Sequence, residues 1–230
     1  MKALVNYEVA EAFERETGIE TIAIKPYSHL DSPVAAHPDM LFCILDKTVF
    51  CYGDYVSENG IDKALTEHGY KIISVSNKCE CKYPKDISLN VLVMGKCLFC
   101  NKKNTALEIL EYADLNGYTV YDVKQGYAAC SSLVIDENTA ITSDESIARA
   151  IELCGKTVLR ISNEQIILPG YNCGFIGGSS GKIGGRVCFF GNIDTLSDGE
   201  QIRKLLKTKN CSIIPIMSGR VYDFGGIKII

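Results

Sequence analysis

Apolar positions recur along the chain at helical spacing, stop at a glycine, and resume with the alternation of a strand. In the stretch ALTEHGYKIISVSN a helix over 61–67 ends at Gly69 and a strand follows. The same order closes helices over 105–115 at Gly117, over 144–154 at Gly155, over 199–207 near Asn210, and over 9–17 at Gly18. Glycine or asparagine at such a point takes the left-handed conformation that releases the chain from the helix. Thr105–Glu108, Thr142–Glu145 and Ser197–Glu200 match the capping box, in which a hydroxyl and a carboxylate satisfy each other's free N–H groups, so helix starts are expected there.

Four of the helices are preceded by two short apolar runs rather than one. LFCILDKTVFCY breaks at Asp46-Lys47, VLVMGKCLFCN at Gly95-Lys96, and SLVIDENTAIT at Asp136–Asn138. CGFIGGSSGKIGGRVCFFG breaks at its glycine-serine tract. Each reads as a hairpin, so the unit is strand, strand, helix, strand. The repeats span roughly 37–77, 83–125, 126–163 and 164–218. A fifth is split: helix and last strand lie within 1–25, and VYDFGGIKII, within 219–230, supplies a strand at the other end of the chain. The pattern predicts an α/β chain forming a single domain over 1–230. Its architecture would be a five-bladed α/β propeller of ββαβ repeats, closed by pairing of the N- and C-terminal segments. The alternative, an open parallel sheet, needs only one strand per helix.

Composition narrows the function classes. The chain has 230 residues, 47% hydrophobic and 23% charged, with a net charge of -4. No run of five Lys or Arg occurs, which disfavours nucleic acid or an anionic membrane surface as partner. No apolar run is long enough for a membrane span, and the N-terminus lacks the apolar segment of a signal peptide. The 11 cysteines, an odd number, are expected to be reduced and mostly buried, as in a cytoplasmic protein.

Five such units around a pseudo-fivefold axis, closed by the chain ends, resemble the pentein fold of the guanidino-group-modifying enzymes. That group includes arginine deiminases, dimethylarginine dimethylaminohydrolases, amidinotransferases and agmatine deiminases, as well as a non-catalytic ribosome anti-association factor. The resemblance is one of repeat architecture and covers essentially the whole chain. It implies a site on the axis, where the loops entering each first strand converge: His37–Asp39, Ser88–Asn90, Cys130–Ser132, Tyr171–Cys173 and Asp223–Gly226.

The resemblance also implies a nucleophilic Cys just after a Gly-Gly pair near the chain end, a His opening the third unit, and carboxylates for the guanidinium. This chain departs from it. Gly225-Gly226 is followed by Ile227–Ile230, and the third unit opens GYAACSS without histidine. Asp39 stands where the resemblance puts one carboxylate; Asn90 stands at the second. Cys130 and Cys173 are the thiols placed to substitute as catalytic groups, with His37 as partner. Asp39, Asn90, Ser131, Asn172 and Lys228 are the expected ligand contacts. The expected ligand is a small polar molecule, with no cofactor. The expectation is a diverged hydrolase or transferase of a guanidino- or amide-containing ligand with a relocated thiol; the alternative is a binding protein that keeps the fold without the chemistry.

Three other motifs bear on chemistry. Cys79 and Cys81 with Cys97 and Cys100 suggest a thiolate zinc site, but Cys97 and Cys100 lie three apart on a strand and point to opposite faces. Gly177–Lys182 lacks the spacing and following helix of a phosphate loop. Its glycine density suggests instead a hairpin tip, an anion nest, or a mobile cover spanning 172–182. His68, ending a helix, suits a structural role there.

Overall fold

Helix exits organise the chain. Gly18, Gly69, Gly117 and Gly155 all have φ between 69° and 76°, and Asn210 has φ 53°. A Cβ at any of those four glycines would meet nothing, so the demand is for the left-handed backbone rather than for space. In the computed structural model, which describes residues 1–230, each exit turns the chain back so that the next strand lies parallel to the one before the helix.

Chain order runs β1 (Ala3–Asn6), α1 (Ala10–Thr17), β2 (Thr21–Ile24), then a single turn α2 (Pro38–Leu41). The first complete blade is β3 (Phe42–Leu45), β4 (Thr48–Cys51), α3 (Gly53–Glu58), α4 (Ile61–Glu67) and β5 (Lys71–Ser74). The second is β6 (Leu92–Met94), β7 (Cys97–Cys100), α5 (Leu107–Leu115) and β8 (Thr119–Asp122). The third is β9 (Ser132–Asp136), β10 (Thr139–Thr142), α6 (Glu145–Leu153) and β11 (Thr157–Arg160). The fourth is β12 (Ser180–Ile183), β13 (Arg186–Phe189), α7 (Gly199–Thr208) and β14 (Ser212–Pro215), and β15 (Lys228–Ile229) ends the chain.

These strands form five three-stranded sheets. In four, the first strand pairs antiparallel and the third parallel to the middle one. The fifth has the order β15-β1-β2, with Ala3 opposite Ile229 and Leu4 opposite Lys228. Lys2 and Ile230 exchange both backbone hydrogen bonds at 2.9 Å. The tail thus supplies the first strand of the sheet that the head begins. The chain is a closed five-bladed α/β propeller.

Burial follows position in the blade. The middle strands are wholly or almost wholly buried, whereas β5, β8, β11 and β14 all show exposed ends around two half-buried residues. The third strand is therefore outermost and the first lines the axis. Helices cover the sheets with buried faces such as Phe13, Leu65, Ile109, Ile147 and Ile202. No helix is long and apolar enough to cross a membrane.

Four local expectations are corrected. None of the three capping boxes forms. Asp144, not Thr142, caps α6 by accepting from Ile147 N–H at 2.9 Å. Glu108 accepts from Ser76 N–H at 2.7 Å and Asp198 from Ser162 N–H at 2.8 Å, so these carboxylates tie a helix start to the exit of the preceding blade. The fourth hairpin turns at Gly184-Gly185 rather than at the glycine-serine tract, and Gly178–Ser180 are buried, so this tract is neither a hairpin tip nor a mobile cover. The C-terminal strand is short: only Lys228–Ile229 pairs with β1, while Tyr222 bridges to Ile167 and its N–H donates to Phe190 O at 2.9 Å. The CxC and CxxC pairs do not come together: Cys79 lies beside Tyr52 and near Cys81, whereas Cys97 lies beside Cys154 and Cys100 beside Thr105.

Candidate functional site

The single turn α2 begins with proline at its first position and puts Asp39 on the axis. Its N–H donates to Gly225 O at 3.0 Å. The side chain is 2% exposed, and neither carboxylate oxygen has a hydrogen-bond partner. Burial, then the nearby Asp223 carboxylate, pushes the Asp39 carboxyl up to about 7, with Lys228 acting in the opposite sense.

Asn90 organises the opposite wall. Its amide nitrogen donates to Asp39 O at 3.1 Å and reaches Cys130 Sγ at 2.9 Å and Met40 Sδ at 3.3 Å. Its oxygen accepts from Ala129 N–H at 2.7 Å. Cys130 is 4% exposed, and burial beside the Asp39 and Asp223 carboxylates raises its thiol well above the ordinary range. Such a thiol is protonated at neutral pH and is not an activated nucleophile.

Asp223 is equally buried but fully engaged. It accepts from Phe175 N–H at 2.8 Å and Gly225 N–H at 3.0 Å, and His37 Nδ1 stands 3.6 Å away. Burial holds His37 below the usual imidazole range and raises the Asp223 carboxyl, against which His37 and the two backbone N–H groups act. Two glycines permit this packing. A methyl at Gly178 would overlap the Asp223 carboxylate, and one at Gly225, which also has φ 80°, would overlap His37.

The axis is open on both sides of this layer. On the loop side a cavity of about 220 Å³ is lined by Met40, Cys130, Cys173, Tyr127, Phe175 and Leu168 among others, with His37 and Asp223 in its wall. Residues 25–37 and 168–173 roof it: Tyr171 donates to Asp31 at 2.8 Å, joining the two segments. On the hairpin side a second cavity, of about 430 Å³, runs between the first strands to Lys182, Lys228, Asp136 and Glu137. Asp39 faces the hairpin-side cavity, whereas Met40 and Cys130 face the loop-side one.

The expected site residues separate accordingly. Cys130, Cys173, His37 and Asn172 line the loop-side cavity. Asp39 and Lys228 line the hairpin-side cavity. Asn90 braces the partition. Ser131 is buried with an unpartnered hydroxyl and lines neither cavity. The expected pairing of His37 with a thiol is replaced by its contact with Asp223, the nearest acid. Burial, with Glu164 and Asp223 nearby, raises the Cys173 thiol as well. Asp223 was legible only as part of a converging loop; the Gly225-Gly226 pair two residues on was its one specific mark. Tyr127, Met40 and Phe175 carried no mark beyond that of core residues.

No curated protein matches the chain. Among solved structures, a dimethylarginine dimethylaminohydrolase adduct with S-methyl-L-thiocitrulline superposes with a TM-score of 0.58 at 8% identity, covering 94% of this chain and 92% of that one. Inosamine-phosphate amidinotransferase of Streptomyces griseus gives 0.56 at 11% identity, covering 96% and 79%. Agmatine deiminase of C. jejuni gives 0.54 at 12% identity, covering 93% and 74%. At these identities the likeness is one of fold, and it identifies the five-bladed ring as the pentein fold. A family model described as "Family of unknown function (DUF6873)" matches residues 4–228, and the chain belongs to that family.

Proposed function

We propose that the axial site binds a small cation of guanidine or amidine type against Asp39, in the hairpin-side cavity that Asp39 lines. The observation that carries this is Asp39: a fully buried carboxylate with neither oxygen hydrogen-bonded. Left ionised and alone it costs several kcal/mol. A planar cation with several N–H donors satisfies both oxygens in a geometry that favours carboxylates. Cys130 and Met40 face the opposite, loop-side cavity and back the Asp39 position from there. The names of the structural neighbours specify guanidino and amidino compounds, which supports this choice of cation.

Binding requires an ionised Asp39, so affinity rises with pH through the region of its pKa. Calorimetry with n-butylguanidine in buffers of different ionisation enthalpy tests this. At pH 6 about one proton is released per ligand, at pH 8 almost none, and Asp39→Asn weakens binding at least about tenfold. Equal binding by Asp39→Asn overturns the reading.

The second reading is a thiol-dependent hydrolase or transferase, favoured by the Asn90 amide aimed at Cys130 Sγ. An amide donor and a bound cation both stabilise a thiolate. Chloroacetamidine tests it: attack by Cys130 sulfur displaces chloride and leaves an S-alkyl adduct. Saturable labelling of Cys130, abolished in Asp39→Asn, supports a reactive thiol; labelling no faster than an ordinary buried cysteine leaves the binding role alone.

A further inference from the structure

We infer that the loop-side cavity is a second binding site, separate from Asp39, for a small uncharged aromatic molecule with one hydroxyl or N–H group. The cation-binding reading above leaves this cavity unused, and the inference does not depend on that reading.

The wall of the cavity suits a flat ring. Tyr127, Tyr171 and Phe175 contribute three aromatic side chains, and the Tyr127 and Phe175 ring centroids lie 6.2 Å apart. Met40, Cys130 and Cys173 contribute three sulfur atoms, of which Cys130 Sγ and Met40 Sδ are 4.0 Å apart. Sulfur and aromatic side chains are polarisable and make specific contacts with a ring that an aliphatic chain does not offer. Val34 and Leu168 complete the apolar lining. An apolar cavity of about 150 Å³ stays dry and takes up benzene. At about 220 Å³ this one has room for a ring bearing a substituent.

Most of the polar groups in the wall are already engaged. Tyr127 donates to Asp86 at 2.7 Å and Tyr171 to Asp31 at 2.8 Å, so neither phenol has an O–H left to give. Asp223 accepts from Phe175 N–H at 2.8 Å and from Gly225 N–H at 3.0 Å. The wall contains no Lys or Arg, and Asp223 is its one acid. A charged ligand would therefore leave water without a free counter-ion to receive it. What remains is the His37 ring, whose Nδ1 stands 3.6 Å from Asp223 and so outside hydrogen-bond range, and the Asn172 amide. Those two groups can serve one hydroxyl or N–H on an otherwise apolar body. Asp39 and the two lysines nearest the axis line the other cavity, so both sites can be filled at once.

Calorimetry on the full chain at pH 7 with p-cresol, benzylammonium and benzoate tests this. p-Cresol is expected to bind with a Kd of about 1 mM or lower, and the two ions at least about tenfold more weakly. p-Cresol should also slow the alkylation of Cys173 by N-ethylmaleimide without slowing that of the exposed Cys81. Cys173→Trp fills the cavity and is expected to abolish p-cresol binding. Asn172→Trp, at an exposed position, is expected to block it from the rim even if the first variant fails to fold. Asp39→Asn is expected to bind p-cresol as the parent does, and n-butylguanidine not to displace it. Either ion binding as tightly as p-cresol overturns the uncharged ligand class. Failure of p-cresol to bind, or binding that leaves Cys173 unprotected, overturns the site. Displacement of p-cresol by n-butylguanidine overturns the separation of the two sites. Absence of p-cresol binding leaves the cation-binding reading standing, because that reading is tested with n-butylguanidine and Asp39→Asn.

Discussion

Replacing Asp39 by Asn keeps the shape of the side chain and removes its charge. The folded carboxyl titrates at about 7 against an ordinary 3.8. Because its folded pKa is raised, the group is protonated in both states below pH 3.8 and costs nothing there. As pH climbs towards 7, the unfolded chain ionises freely while the folded one is held neutral, and stability is lost across that window. Three units correspond to about 4 kcal/mol in total, of which roughly 2–3 kcal/mol falls between pH 5 and pH 8. The variant lacks this loss. Its stability relative to the parent should therefore improve by about 2–3 kcal/mol on going from pH 5 to pH 8, and taking the difference cancels every other titrating group. Urea denaturation of both proteins at the two pH values, extrapolated to water, measures it. A relative stability that is flat with pH, or that falls, would refute the claim that Asp39 is an unsatisfied buried acid.

Other consequences follow from the same geometry. Gly178→Ala forces a methyl into the Asp223 carboxylate, and should cost more than about 3 kcal/mol in urea unfolding. Removal of Lys228–Ile230 deletes the strand that closes the ring, and should lower the unfolding midpoint and expose the β1 edge to aggregation, both visible in thermal scans with light scattering. Without ligand, the exposed Cys81 should be alkylated by iodoacetamide at pH 7.5 at least about 100-fold faster than Cys130, read by peptide mass spectrometry. Comparable rates would contradict the protonated, buried state assigned to Cys130.

The ring was legible because its signals are local and repeated. Each helix ends in a residue that tolerates positive φ, and each of four helices follows a paired apolar run, so strand count and connectivity could be read directly. Closure was legible because the first unit lacked a strand and the tail offered one. The capping boxes failed for a non-local reason: Glu108 serves the exit of the neighbouring blade, a partner 32 residues away in sequence. The glycine-serine tract failed in the same way. Gly178 faces Asp223, Gly177 the backbone of Ala129–Ser132 and Gly181 the Ile227 side chain, and nothing nearby in the chain announces those contacts. At the site, the converging loops could be listed from the repeat, but which member meets which could not. His37 was expected beside a thiol and lies beside Asp223. The partition of the axis into an acidic, aromatic side and a lysine-bearing side depends on which way each strand residue faces, and emerges only with the register of all five blades.

The central claim is that Asp39 is a carboxylate without a partner until a cation arrives. The most direct measurement is a carbon-13 NMR titration of its side-chain carboxyl, with and without saturating n-butylguanidine. The account predicts a midpoint near 7 in the free protein and a fall of at least about two units in the complex. A carboxyl that titrates near 4 in the free protein, or does not respond to the ligand, would contradict it.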